Sequence, residues 1–166
     1  MVKKAEFSTC DLKDQFPKST FQSLENFFSY GGIKKFYGQA VIISCPDDNS
    51  LVKEIVREDG SNKILVVDSP SVNHAAMLGD EIASSALVNN WSGFLINGFV
   101  RDREHLVNIE IGILARGTIA SKTAKQGLGN KKEFATFAGV IISSDSWIYV
   151  DENGFLVSHD LSLIHI

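Results

Sequence analysis

Arginine and aspartate stand side by side in GFVRD, Gly98 to Asp102, where the apolar run WSGFLIN gives way to charge. The planar guanidinium of Arg101 suits a carboxylate. The carboxylate of Asp102 suits a hard divalent cation such as Mg2+, which takes few protein ligands and keeps several waters. Immediate neighbours at the end of a strand need not face each other, so the two can grip one 2-oxo acid from two sides. The plain alternative is a solvated ion pair or a strand-end cap. Upstream, MLGDEIASSAL offers a partner for this pair. Gly79 permits a sharp turn, and Asp80 reads as the N-cap of a helix starting at Glu81. The amides of Glu81 and Ile82 are then free to receive an anion. A plain helix cap is the competing reading of Asp80.

Other residues with chemical capacity are less well arranged. His74, His105, His159 and His165 are scattered, with no HExxH and no i, i+4 pair, which argues against a histidine metal site. No GxSxG, P-loop or GxGxxG occurs, and GLGN, Gly127 to Asn130, reads as a turn. Lys122 and Lys125 fall in SKTAKQGLG, which reads as a flexible basic loop without the desolvation a Schiff-base lysine needs. Cys10 and Cys45 lack CxxC or zinc-type spacing and read as small packed residues.

The elements that must position these residues are strands alternating with helices. QAVIISC (39–45), KILVVD (63–68) and WSGFLIN (91–97) are apolar, β-rich runs of strand length. Between them SLVKEIVRE reads as a helix, and Val72 to about Asn90 as a helical region interrupted near Leu78-Gly79-Asp80. Strand-helix-strand spacing of this size suits a parallel crossover. STCDL with KDQF, and TFQSLENFF, predict two short helices near the start. REHLVNI predicts a short helix after Arg101 and IGILARG a strand, while FAGVIIS, SWIYVDE and GFLVS predict a β-rich closing section. The expectation is an α/β fold with a mixed sheet and helices.

The 166 residues suit a single domain, 1–166, with a core of its own. The composition, 44% hydrophobic and 22% charged, is that of a globular protein, and no apolar run is long enough to span a membrane. MVKKAEFSTCDL has no apolar stretch behind its lysines, so the expected location is cytoplasmic. A net charge of −4 argues against direct nucleic-acid binding.

KILVVD, AAMLGDEIASSALVNNWSGFLINGFVRD, GILARGTIASKTAKQGLG, FAGVIIS and SWIYVDENGFLVS together resemble the RraA-like family. This family groups the regulator of ribonuclease E activity A with 4-hydroxy-4-methyl-2-oxoglutarate aldolases. The similarity runs from about Ser8 to Ser158, and its most specific element is Asp80, twenty intervening residues, then Arg101 and Asp102. In the family that pattern marks metal-dependent aldolases and oxaloacetate decarboxylases, whereas regulator-type members can lack the second aspartate. The resemblance implies a three-layer β/β/α fold of the swivelling-domain type and a homotrimer. It implies Mg2+ or Mn2+ held by Asp102, and a 2-oxo acid bound by Arg101 and the loop Gly79 to Ile82. It also implies that Asp80 acts catalytically with Arg101, through metal-bound water. Its other implication is a non-catalytic inhibitor whose partner is ribonuclease E. Two departures stand out: Ser69-Pro70-Ser71 replaces a glycine-rich turn, altering the pocket floor, and Asn130 replaces a glutamate found in many short aldolase-like relatives, with Glu133 out of alignment.

Overall fold

The computed structural model describes residues 6–160 and 162–164. Its first element is α1 (Thr9–Gln15), where the Ser8 hydroxyl accepts the Asp11 amide as an N-cap. Instead of a second helix in TFQSLENFF, two short strands follow, β1 (Phe21–Gln22) and β2 (Phe28–Ser29). Then come β3 (Phe36–Ser44), α2 (Ser50–Ile55), β4 (Lys63–Asp68), β5 (Ala76–Leu78), α3 (Asp80–Val88), β6 (Gly93–Val100), α4 (Arg103–Leu106) and β7 (Gly112–Thr118). The closing section is β8 (Asn130–Lys132), β9 (Phe134–Phe137), β10 (Val140–Ser143), β11 (Trp147–Asp151) and β12 (Gly154–Ser158). The helical region expected from Val72 therefore begins as a strand. Ala76, Met77 and Leu78 are all buried, and β5 pairs in parallel with the end of β6. FAGVIIS contains a turn rather than one strand: Ala138 and Gly139 both have positive φ and join β9 to β10, as a tight hairpin requires.

Ten described strands form one mixed sheet, whose main path runs β1-β12-β11-β3-β4-β6-β7-β2. The centre, β3-β4-β6-β7, is parallel, as the crossover spacing predicts. β1 and β2 lie at opposite ends of the path, yet the link between them can reach only about 20 Å. The sheet must therefore curl back on itself. That curl explains why TFQSLENFF is not helical: Phe21 pairs with Val157 and Phe28 with Ala115, so the segment satisfies both sheet edges at once.

Two apolar layers result. On one face, Val52 and Ile55 of α2, Ala83 and Ala86 of α3 and Leu106 of α4 pack on the parallel strands. Inside the curl, Ile42, Ile64, Val66 and Leu95 meet Val140, Ile142, Ile148 and Val157. This is the β/β/α layering that the resemblance implies. No helix among the described residues is long and apolar enough to cross a membrane.

One packing constraint fixes the register of the central strands. Gly93 and Gly112 are paired across β6 and β7, and Phe36 lies over both. A Cβ added at Gly112 would lie 2.2 Å from the Phe36 ring, and one at Gly93 2.5 Å from it. Gly112→Val should lower stability by about 1–3 kcal/mol through overpacking, seen as a lower urea midpoint with an unchanged m-value; a midpoint equal to wild type would contradict this packing.

Candidate functional site

Strand β6 ends at Val100 and hands the chain to Arg101 between two neighbours. The Arg101 amide donates to the Leu78 carbonyl at 3.0 Å, and the Ile119 amide to the Val100 carbonyl at 3.0 Å. Asp102 then turns the chain with φ 61° and ψ 39°, a left-handed conformation that costs a non-glycine residue about 1–2 kcal/mol. Its carbonyl accepts the His105 and Leu106 amides, each at 2.9 Å, and so starts α4. Its carboxylate, although at the N-cap position, makes no capping bond to α4. It lies instead against the start of α3, where Oδ2 accepts the Asp80 amide at 3.3 Å.

This contact changes the reading of Gly79 and Asp80. Asp80 is the first residue of α3, not its cap; the N-cap position belongs to Gly79, whose φ of −128° and ψ of −172° are open to any residue. Gly79 is needed for close approach rather than for a sharp turn, because a Cβ there would stand 2.7 Å from Asp102 Oδ2. The first helical bond is Ala83 N–H to the Gly79 carbonyl, 3.1 Å. No acceptor among the described residues takes the amides of Glu81 or Ile82. They stand at the positive end of α3, where an anion is favoured.

Arg101 reaches the same rim. Its Nε lies 3.9 Å from Asp102 Oδ2, with the side chains 38% and 31% exposed, so the pair is loose and open to a third partner. A further bond from Nη1 to the Ala120 carbonyl is long, 3.5 Å. Arg101, Asp102, Gly79, Asp80, Glu81 and Ile82 are thus close to one another at a strand end beside a helix start, the usual ligand position in open α/β sheets.

The donor set fits a hard divalent cation. Asp102 offers one partly exposed carboxylate, and no group of three or more His, Cys, Asp or Glu side chains able to hold a metal occurs among the described residues. A single carboxylate leaves most positions to water and substrate, which suits Mg2+ or Mn2+ better than zinc. His74 pairs with Asp47 at 2.8 Å, His105 with Glu104 at 3.6 Å, and His159 with Ser146 at 2.9 Å, while His165 lies outside the described residues. Burial first, with Asp48 and Asp68 nearby, pushes the Cys45 thiol up to about 12; Cys10, expected to be packed, is exposed.

The segment carrying Lys122 and Lys125 is not the free loop expected. Lys122 bridges Ala76 of β5, Ala124 bridges Asp48, and Thr123 is buried. Asp48 is the clasp: its carboxylate accepts the amides of Ser50 and Gln126 and is fully enclosed. Burial pushes this carboxyl up, but the Ser50 hydroxyl and amide and the Gln126 and Leu128 amides pull harder and bring it down to about 2. Asn49 donates its amide to Thr123 Oγ1 at 3.0 Å and its Nδ2 to the Met77 carbonyl at 3.2 Å, tying the strap to β5 immediately before Gly79. From sequence, CPDDNS reads as a turn that could cap the helix SLVKEIVRE; the signal for more was two acids and an amide directly before that helix. Asn130 opens β8, registered with Ser44 on β3.

An α/β protein with a curled mixed sheet, one layer of helices and an anion-ready helix start beside a lone carboxylate is a defined structural class. The family model described as "RraA-like: Aldolase/RraA" matches residues 9–157. The chain belongs to the RraA-like family. A relative from Pseudomonas putida (strain KT2440), named "Putative 4-hydroxy-4-methyl-2-oxoglutarate aldolase", is 44% identical over 92% of this chain and 93% of its own. A crystal structure of an S-adenosylmethionine: 2-dimethylmenaquinone methyltransferase from Geobacillus kaustophilus HTA426 superposes with a TM-score of 0.92 at 31% identity, covering 96% of this chain and 99% of that one. The RNA-processing inhibitor RraA from Thermus thermophilis does so at 0.86 and 32%, covering 93% of each. Three different activities are named on one backbone, so the fold alone does not choose among them.

Asp48→Asn should leave the sheet folded but loosen the strap, with amide exchange at Gln126 and Ser50 speeding up by about tenfold or more, since a charged acceptor is lost. Exchange at those amides unchanged by the substitution would remove Asp48 from this role.

Proposed function

We propose that the protein is a divalent-metal-dependent lyase that cleaves a carbon–carbon bond in 2-oxo acids. The reactions are those of a 4-hydroxy-4-methyl-2-oxoglutarate aldolase and an oxaloacetate decarboxylase, both releasing pyruvate. The observation that carries this reading is the Asp102 carboxylate, withdrawn from capping α4 and set against Gly79 and Asp80 beside Arg101. The name of the Pseudomonas putida relative supports the aldol reaction. Asp102 would hold the Mg2+ or Mn2+, which when bound supplies a Lewis acid for the 2-oxo oxygen.

The chain's own residues do the rest. The Glu81 and Ile82 amides and the Arg101 guanidinium bind the carboxylate next to the 2-oxo group and orient the substrate. Breaking the C3–C4 bond leaves an electron pair that delocalises onto the 2-oxo oxygen. The positive end of α3 and the Arg101 charge already face that end of the substrate, so little reorganisation accompanies the change. Decarboxylation of oxaloacetate releases CO2 and needs no base at C4. Aldol cleavage must also remove the C4 hydroxyl proton, and Asp80, half-buried at the first turn of α3, orients a water to take it. The protein works in this reading as a cytoplasmic homotrimer.

The Thermus neighbour favours a second reading, a non-catalytic inhibitor that binds ribonuclease E. A coupled assay for pyruvate, with and without EDTA, separates the two. The lyase reading expects release from oxaloacetate or the aldol substrate that EDTA abolishes and Mg2+ or Mn2+ restores. Asp102→Ala should lose at least about a hundredfold in kcat/KM, the scale of removing one electrostatic partner of the reacting group. Metal-independent release, or full activity in Asp102→Ala, would end the lyase reading; no release combined with tight ribonuclease binding would establish the inhibitor.

A further inference from the structure

Inside the curl, at the carboxyl ends of β4, β6 and β7, lies a cavity of about 390 Å3. Its lining includes none of Gly79 to Ile82, Arg101 or Asp102, and its volume falls within the range of small-molecule sites. Ser69, Asn97 and Arg116 form its polar part, and Val72, Phe99 and Phe137 its apolar part. The guanidinium is held from two sides. Nε donates to Asn97 Oδ1 at 2.9 Å, Asn97 is in turn fixed by its Nδ2 on Asp68 Oδ1 at 2.8 Å, and the ring of Phe27 lies 4.4 Å beneath the guanidinium carbon. Nη2 donates to Glu25 Oε2 at 2.8 Å, and the other guanidinium N–H groups have no partner among the described residues. Ser69, 1% exposed, has a buried hydroxyl with no hydrogen-bond partner. Buried hydroxyls are ordinarily satisfied, so an orphan in a cavity wall is a place prepared for a ligand atom.

We propose that this cavity is a second ligand site, for a compact organic monocarboxylate. The ligand carboxylate takes the Arg116 fork in place of Glu25, an oxygen meets the Ser69 hydroxyl, and the apolar body rests on Val72, Phe99 and Phe137. Glu25 shows the chemistry that Arg116 accepts, and its side chain is 54% exposed, so the pair is of the weakly held surface kind that a ligand can displace. Arg116 is the lone cation of the lining, which matches one negative charge and leaves a second uncompensated. A planar fork favours a carboxylate over a spherical anion. Ser69 and Pro70, both in the lining, belong to the Ser69-Pro70-Ser71 turn that follows β4.

Calorimetric titration of the full chain with benzoate tests the site. Wild type should bind; Arg116→Gln should weaken binding by about tenfold or more, the scale of one charge-assisted bond. Glu25→Ala should tighten it, because the competing carboxylate is gone. Arg116 also braces Asn97 and Phe27, so Thr136→Trp, an exposed strand position on the cavity wall, provides a variant that fills the space without touching that network. It should abolish binding, and Asp102→Ala should leave it unchanged. No benzoate binding to wild type at millimolar concentration, binding that survives Thr136→Trp, weaker binding in Glu25→Ala, or loss of binding in Asp102→Ala would each overturn the proposal. Because benzoate binding is read without turnover, its failure leaves the lyase reading intact.

Discussion

The close approach of the Asp102 carboxylate to the backbone at Gly79 and Asp80 is the contact on which the candidate site depends. It requires a residue without a side chain at 79, because a Cβ would stand 2.7 Å from Oδ2. It requires left-handed backbone at Asp102, so that the carbonyl serves α4 while the carboxylate turns to α3. It also requires β5 beside the end of β6, since the bond from the Arg101 amide to Leu78 sets the two chains in register. Backbone strain at a non-glycine residue persists only where surrounding structure imposes it. Here that structure is a parallel strand end, a helix start and the strap fastened by Asp48 and Asn49.

This arrangement separates the roles of two neighbouring charges. Had Arg101 and Asp102 formed a close bidentate pair, each would have satisfied the other. At 3.9 Å and about a third exposed, they are near enough to act on one ligand and loose enough to admit it. The amides of Glu81 and Ile82 add fixed positive potential at the same place. The sheet supports this precision from behind: Gly93 and Gly112 let the Phe36 ring lie over the paired strands β6 and β7, and the curl buries the second apolar layer.

Much of the parallel centre was legible in the sequence. QAVIISC, KILVVD and WSGFLIN are apolar runs of strand length, and they became β3, β4 and β6 because both faces of the central sheet are covered. The pairing of Arg101, Asp102 and the Gly79 loop was also legible, through residue type and spacing. What escaped depended on contacts distant in sequence. TFQSLENFF has helical spacing but is claimed by two sheet edges, one at Val157 and one at Ala115. Asp80 has the residue type of a cap but lost that place to Gly79, because the cap position must admit the Asp102 carboxylate. Asp48 looked like a turn residue, and its partner Gln126 lies 78 positions away. Lys122 looked solvated because the bridge from its backbone to Ala76 has no local sequence signature.

The central claim is that Asp102 holds the divalent cation while Arg101 and the α3 amides hold the 2-oxo acid. Anomalous difference density from crystals grown with Mn2+ and pyruvate tests it most directly. The account predicts a manganese peak at the Asp102 carboxylate, with the pyruvate carboxylate against the amides of Glu81 and Ile82 and the Arg101 guanidinium. A manganese peak away from Asp102, or pyruvate bound without contact to Arg101 and α3, would contradict it.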